Sequence, residues 1–142
     1  MLLKSNVSTY TGTGDDNVLR QVEVPIVSRK KCREMYSQID QHLSANEICA
    51  GYREGGKDSC DGDSGGPLIC RNAENRWWQH GVVSWGKGCA DPDFPGVYVD
   101  VAKLLSWITE KTGSRNLYVH CVLKTFLTFP LQLKKNNRFK QF

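Results

Sequence analysis

The chain has 142 residues, 39% of them hydrophobic and 24% charged, with a formal net charge of +4. This balance fits one folded, soluble domain of ordinary size and excludes a disordered polar chain or a membrane-embedded one. The positive charge is confined to one end: residues 112–142 hold six Lys/Arg and no acid, leaving 13 bases against 15 acids before them, so the body has no basic footprint for nucleic acid.

Taken in chain order, residues 1–17 read as a polar loop that ends in a cluster of Gly, Asp and Asn. "VLRQVEVPIV" (18–27) alternates apolar and polar residues up to Pro25, as a strand with one buried face and an edge or bulge at the proline does. "SRKKCREMY" changes period. Ser28 can cap, and Cys32, Met35 and Tyr36 share one face of a short helix. "EICAGY" (47–52), "PLIC" (67–70), "RWWQHGVVSWG" (76–86) and "PGVYVDV" (95–101) read as further strands. Short strands separated by Gly, Pro and Asp turns predict an all-β antiparallel sandwich or barrel. A last helix sets Val101, Leu104, Leu105 and Ile108 on one face, and Gly113 stops it. The stretch 117–133 is apolar but broken by His120, Lys124 and Pro130. It is too short and too interrupted for a span of ~20 apolar residues, which argues against membrane contact by the tail. "KKNNRFKQF" ends the chain as a basic run predicted to be poorly ordered.

Six cysteines, at positions 32, 49, 60, 70, 89 and 121, are many for this length, and none forms a CxxC pair. The spacing therefore implies neither a metal site nor a metal cofactor. Disulfides in an oxidising compartment are the better reading, although six cysteines allow 15 pairings and spacing alone selects none of them. That compartment calls for a leader, yet "MLLKSNVSTYTGTGDD" turns polar after three residues and contains no apolar signal core.

The chemistry centres on "DSCDGDSGGPL" (58–68). Glycines on both sides of Ser64 permit positive φ and a close approach by another backbone. Amides at Gly62 and Ser64 can then converge on one developing oxyanion. Considered as five residues alone, the pattern fits a plain Gly-rich turn equally well.

Its surroundings add more. "DSCDGDSGGPLIC", "GVVSWGKGCA", "PGVYVDV" and "LLSWI", preceded by "NVLRQVEVPIVSRKKC" and "EICAGY", occur in one order over roughly residues 6–112. In these motifs the chain resembles the C-terminal half of the trypsin-like (chymotrypsin-fold) serine endopeptidases. The resemblance implies a six-stranded antiparallel β-barrel, the second barrel of that fold, with a short helix and a C-terminal helix. It would occupy residues 1–113, with 114–142 as an unmatched tail. Ser64 is then the catalytic nucleophile, with the Gly62 and Ser64 amides as the oxyanion hole. Asp58 becomes the carboxylate at the base of a pocket selecting Arg or Lys, and Gly86 and Gly96 its open walls. Ser84, Trp85 and Gly86 become the strand that pairs with substrate. Asp63 takes the place of the acid that pairs with an activation-generated N-terminus. Cys32 is expected to bond Cys49, and Cys60 to bond Cys89, while the pairing of Cys70 and Cys121 stays unassigned.

The family's catalytic His and Asp come from its first barrel. His42, His80 and His120 each fall outside that pattern. The expected protein is therefore a trypsin-like endopeptidase chain without its base, inert alone, whose partners are an Arg/Lys protein or peptide substrate and the missing first barrel. It is expected to be extracellular and to need no cofactor. A non-catalytic module that recognises basic residues is the alternative.

Overall fold

The computed structural model describes residues 2–5 and 20–113. Seven strands form one antiparallel sheet in the order β2-β1-β5-β6-β7-β4-β3. They are β1 (Leu2–Ser5), β2 (Arg20–Glu23), β3 (Ile26–Val27), β4 (Glu47–Ala50), β5 (Pro67–Arg71), β6 (Trp77–Trp85) and β7 (Gly96–Asp100). Helix α1 (Arg29–Ser37) lies between β3 and β4. A 3₁₀ turn (Val101–Leu104) leads into α2 (Leu105–Thr112). The tail lies outside the described residues.

Two expectations need correction. Residues 2–5, read as loop, form a strand that pairs with β2 and β5. The single strand expected over 18–27 is two strands, because Pro25 lacks the N–H that would continue the ladder. Its halves end on opposite edges of the sheet, β2 beside β1 and β3 beside β4. The hydrogen-bonded sheet is thus open and has seven strands.

Helix α1 begins as its sequence dictates, with the Ser28 side chain accepting from the Lys31 amide at 3.4 Å. Cys32 and Tyr36 are fully buried. At the other end, Asp100 Oδ1 accepts from the Ala102 amide at 3.0 Å. This cap sets a 3₁₀ turn where one continuous helix was expected. Gly113, at φ 66°, closes α2 by donating to the Thr109 carbonyl at 3.0 Å.

The core has two parts. Val24, Ala50, Leu68, Val83 and Tyr98 pack together on one side. Cys32, Tyr36, Leu43, Cys49 and Val97 pack where α1 meets β4 and β7. Each large side chain so buried stabilises the fold by roughly 1.5–3 kcal/mol. The Cys32–Cys49 disulfide, with Cα atoms 6.4 Å apart, ties α1 to β4 as expected. Cys70 lies buried on β5 opposite Trp78. Between β6 and β7 the register shifts from Val83↔Tyr98 to Trp85↔Val97, leaving Ser84 as the extra residue of a bulge. Bulges re-aim side chains, and this one borders the site.

Candidate active site

The loop from Asp58 to Gly66 enters β5 through glycines at positive φ, Gly62 at 92° and Gly65 at 83°. Between them Ser64 is exposed on a turn held from within, where the Asp63 amide donates to Cys60 O at 3.0 Å and the Gly66 amide to Asp63 O at 2.8 Å. The turn is also fastened to β6. Gly65 N donates to Val83 O at 3.0 Å and Val83 N to Gly66 O at 2.9 Å. The amides of Gly62 and Ser64 donate to no backbone acceptor among the described residues.

Asp58, Ser64, Ser84, Trp85, Gly86 and Gly96 line one recess of about 90 Å³. The structure therefore gathers the serine and all five residues expected to contact substrate. Asp58 is half-buried in this lining. One carboxylate oxygen accepts from Ser59 N at 2.8 Å, the other from Ala90 N at 3.2 Å. Burial nonetheless pushes its pKa up, against those hydrogen bonds and with a smaller contribution from Asp63. Gly96 is buried beside it, and a Cβ there would lie 2.5 Å from Asp58 Oδ1 and 3.0 Å from the Tyr98 hydroxyl. A larger residue there would require the Asp58 carboxylate to shift. The Cys60–Cys89 disulfide, with Cα atoms 5.2 Å apart, links two lining segments.

Several supporting residues were not singled out from sequence. The Tyr36 hydroxyl donates to Pro95 O at 2.8 Å and accepts from Lys87 N at 3.4 Å, so it fixes both flanks of the recess. The Trp85 and Phe94 rings stand edge-on to Tyr36, with centroids at 4.9 and 5.6 Å. Trp85 Nε1 donates to Glu47 Oε1 at 2.9 Å. Tyr98 shares a 3.2 Å hydroxyl contact with Ser59 beside Asp58, and burial pushes its pKa up to about 12. A tyrosine at a core position was the available signal, because its buried hydroxyl requires a partner.

Asp63 is 4% exposed. Its Oδ2 accepts from Cys60 N at 2.9 Å, whereas its Oδ1 has no hydrogen-bond partner among the described residues. His42 and His80 are both absent from the recess lining. His42 is exposed in the segment after α1, and His80 is half-buried on β6 with Nδ1 unbonded among the described residues. His120 lies outside the described residues.

Comparison with known proteins shows the family. Coagulation factor XII of Cavia porcellus is 48% identical over 98 residues, which are 68% of this chain and 16% of that protein. Coagulation factor XI of Bos taurus is 45% identical over 96 residues, 68% of this chain and 15% of that protein. The matched segment thus spans about a sixth of each relative. The Trypsin family model matches residues 4–108, most of the chain and every element of the recess. The chain belongs to the trypsin family of serine proteases.

Proposed function

We propose that this chain carries the nucleophile, oxyanion hole and Arg/Lys-selecting pocket of a trypsin-like serine endopeptidase, and that its general base comes from outside these 142 residues. The observation that carries this reading is the recess itself, whose lining joins the exposed Ser64 to the half-buried Asp58. A half-buried carboxylate favours a cationic side chain, and the glycines at 86 and 96 leave room for a long one. In the reaction, Ser64 Oγ attacks the carbonyl carbon of the scissile bond while a histidine takes its proton. The Gly62 and Ser64 amides bind the oxygen as it becomes negative, and the protonated histidine then gives its proton to the leaving amine. The substrate backbone adds alongside Ser84–Gly86 as an antiparallel strand.

We read the segment 20–27, whose halves occupy opposite edges of the sheet, as the strand that closes it into a six-stranded barrel. The histidine and its orienting aspartate then belong to a companion barrel docked against this one. Asp63 is the acid that fixes the oxyanion hole once its open oxygen acquires a cationic partner. Two disulfides suit an extracellular, oxidising setting.

The test is hydrolysis of an arginine ester by the purified chain, alone and with a companion barrel supplied in trans. Loss of a serine–histidine machinery costs about 2 × 10⁶ in rate, so the chain alone should be nearly inert. Activity should appear with the companion and vanish in Ser64→Ala. Turnover by the chain alone that disappears in Ser64→Ala would place the base within these residues and overturn the proposal. Binding of benzamidine without turnover in either arrangement would favour a basic-residue recognition module.

A further inference from the structure

Trp85 ends β6 in the lining of the recess, and its indole is tied to an acid that the bond-breaking steps do not use. In a regular ladder the pair Val83↔Tyr98 would be followed by Ser84 opposite Val97. The bulge puts Trp85 opposite Val97 instead. On the other side of β7, Glu47 of β4 lies opposite Val99. Val97 and Val99 are two positions apart and so share one face of their strand. Trp85 and Glu47 therefore meet on that face, with β7 between their own strands.

There the indole Nε1 donates to Glu47 Oε1 at 2.9 Å. The second carboxylate oxygen, Oε2, accepts from the Ser44 amide at 2.6 Å. Each oxygen thus faces one N–H donor. The backbone beneath is fixed as well. The Glu47 carbonyl accepts from Arg29 Nη1 at 2.9 Å, and the same guanidinium holds the carbonyls of Ser44 and, at 3.1 Å, of Ala45. Leu43, 6% exposed, anchors the preceding residue in the core.

The ring is limited from a second direction. Tyr36 stands edge-on to it with centroids 4.9 Å apart, and both pack in the cluster that contains the buried Val97. Trp85 nevertheless stays half-buried, between the exposed Ser84 and Gly86, so part of its surface is open to a ligand. A ring already fixed before a ligand arrives loses less freedom on binding.

We propose that Glu47 is a positioning residue: by holding the Trp85 indole through a charge-assisted hydrogen bond, it sets the affinity for a peptide chain that continues beyond the basic side chain in the recess. This rests on the proposed function, in which substrate lies along Ser84–Gly86. The role needs a carboxylate. Glutamine at this position would offer one acceptor oxygen to two donors, so either Trp85 or Ser44 would face an amide N–H.

The test uses the full chain and two ligands, benzamidine, which occupies the recess alone, and acetyl-Phe-Gly-Arg amide, which also extends along the strand. The chain has four tryptophans, and the Trp85 indole N–H signal in NMR is identified by its loss in Trp85→Phe. In the wild-type chain that signal should exchange slowly with solvent. In Glu47→Gln it should move and exchange faster, peptide affinity should fall about tenfold, and benzamidine affinity should stay unchanged. Trp85→Phe has no N–H to tie, so adding Glu47→Gln to it should change peptide affinity little. A merely structural Glu47 would weaken both ligands alike, and by the same factor in the Trp85→Phe background. That pattern, an unmoved indole signal, or equal peptide affinity in Glu47→Gln and wild type would each overturn the proposal and leave the proposed function standing. Failure of the wild-type chain to bind benzamidine would overturn the basic-residue pocket, and this proposal with it.

Discussion

Asp58 is where one residue's environment translates most directly into a measurement. Burial raises its pKa above the ordinary carboxylate value, so the folded chain holds this proton more tightly than the unfolded chain does. The stability that follows is fully present below the unfolded pKa and is lost as pH rises through the folded one. Above its folded pKa, Asp58 gives the recess an anion that a bound cation can compensate. Benzamidine should raise the melting temperature at neutral pH, and the shift should fade as pH falls through a value above that of an ordinary aspartate. Asp58→Ala should abolish the shift at every pH. A shift persisting into strong acid would show that the amidine does not bind against Asp58. Gly96→Ala tests the same contact sterically, because its Cβ would lie 2.5 Å from the carboxylate oxygen. It should lose benzamidine binding while Ser64→Ala retains it. Retained affinity in Gly96→Ala would mean that the lining of the recess is laid out differently.

Among the elements, the two disulfides do different work. Cys32–Cys49 closes a loop with sequence separation 17 and lies in the core beneath α1, whereas Cys60–Cys89, with separation 29, links segments that line the recess. Chain-entropy reasoning assigns each about 3–4 kcal/mol. Denaturant unfolding of Cys32→Ala/Cys49→Ala and Cys60→Ala/Cys89→Ala should thus show similar losses, with benzamidine affinity falling sharply only in the second. Equal affinities would make the second bond structural alone. These pairings were legible in the sequence only through the surrounding motifs, since spacing left 15 possibilities. Helix α1 was legible from Ser28 and the spacing of Cys32 and Tyr36, because capping and period are local properties. The strand at Leu2–Ser5 was not, because its pairing with β5 joins residues more than sixty positions apart. The split at Pro25 was half legible: proline announced an interruption, but no local pattern could send the two halves to opposite edges. In the site, Asp58, Ser64 and the glycines stood out by motif, whereas Tyr36 and Tyr98 looked like ordinary core residues until their hydroxyls were traced.

For the molecule as a whole, the sheet order implies a gradient of stability. β6 is the longest strand and is paired on both sides, with β5 and β7, while β2 and β3 are short edges. Native-state hydrogen exchange should be slowest in β5, β6 and β7 and fastest at the edges. Slowest exchange in β3 would mean that stability is centred on α1 and its disulfide instead. The most stable strand also holds the serine turn, through the paired backbone bonds of Val83 to Gly65 and Gly66. Those bonds involve main-chain atoms alone, so they constrain length more than they constrain identity. Residues 72–76 at the β5–β6 hairpin tip lie beyond this clasp and should accept an inserted peptide without disturbing Ser64. A single residue added between Gly62 and Gly66 would shift the serine against its clasp. For anyone wishing to graft a loop or a reporter into this protein, the tolerant and intolerant positions are thus set by where Val83 takes hold.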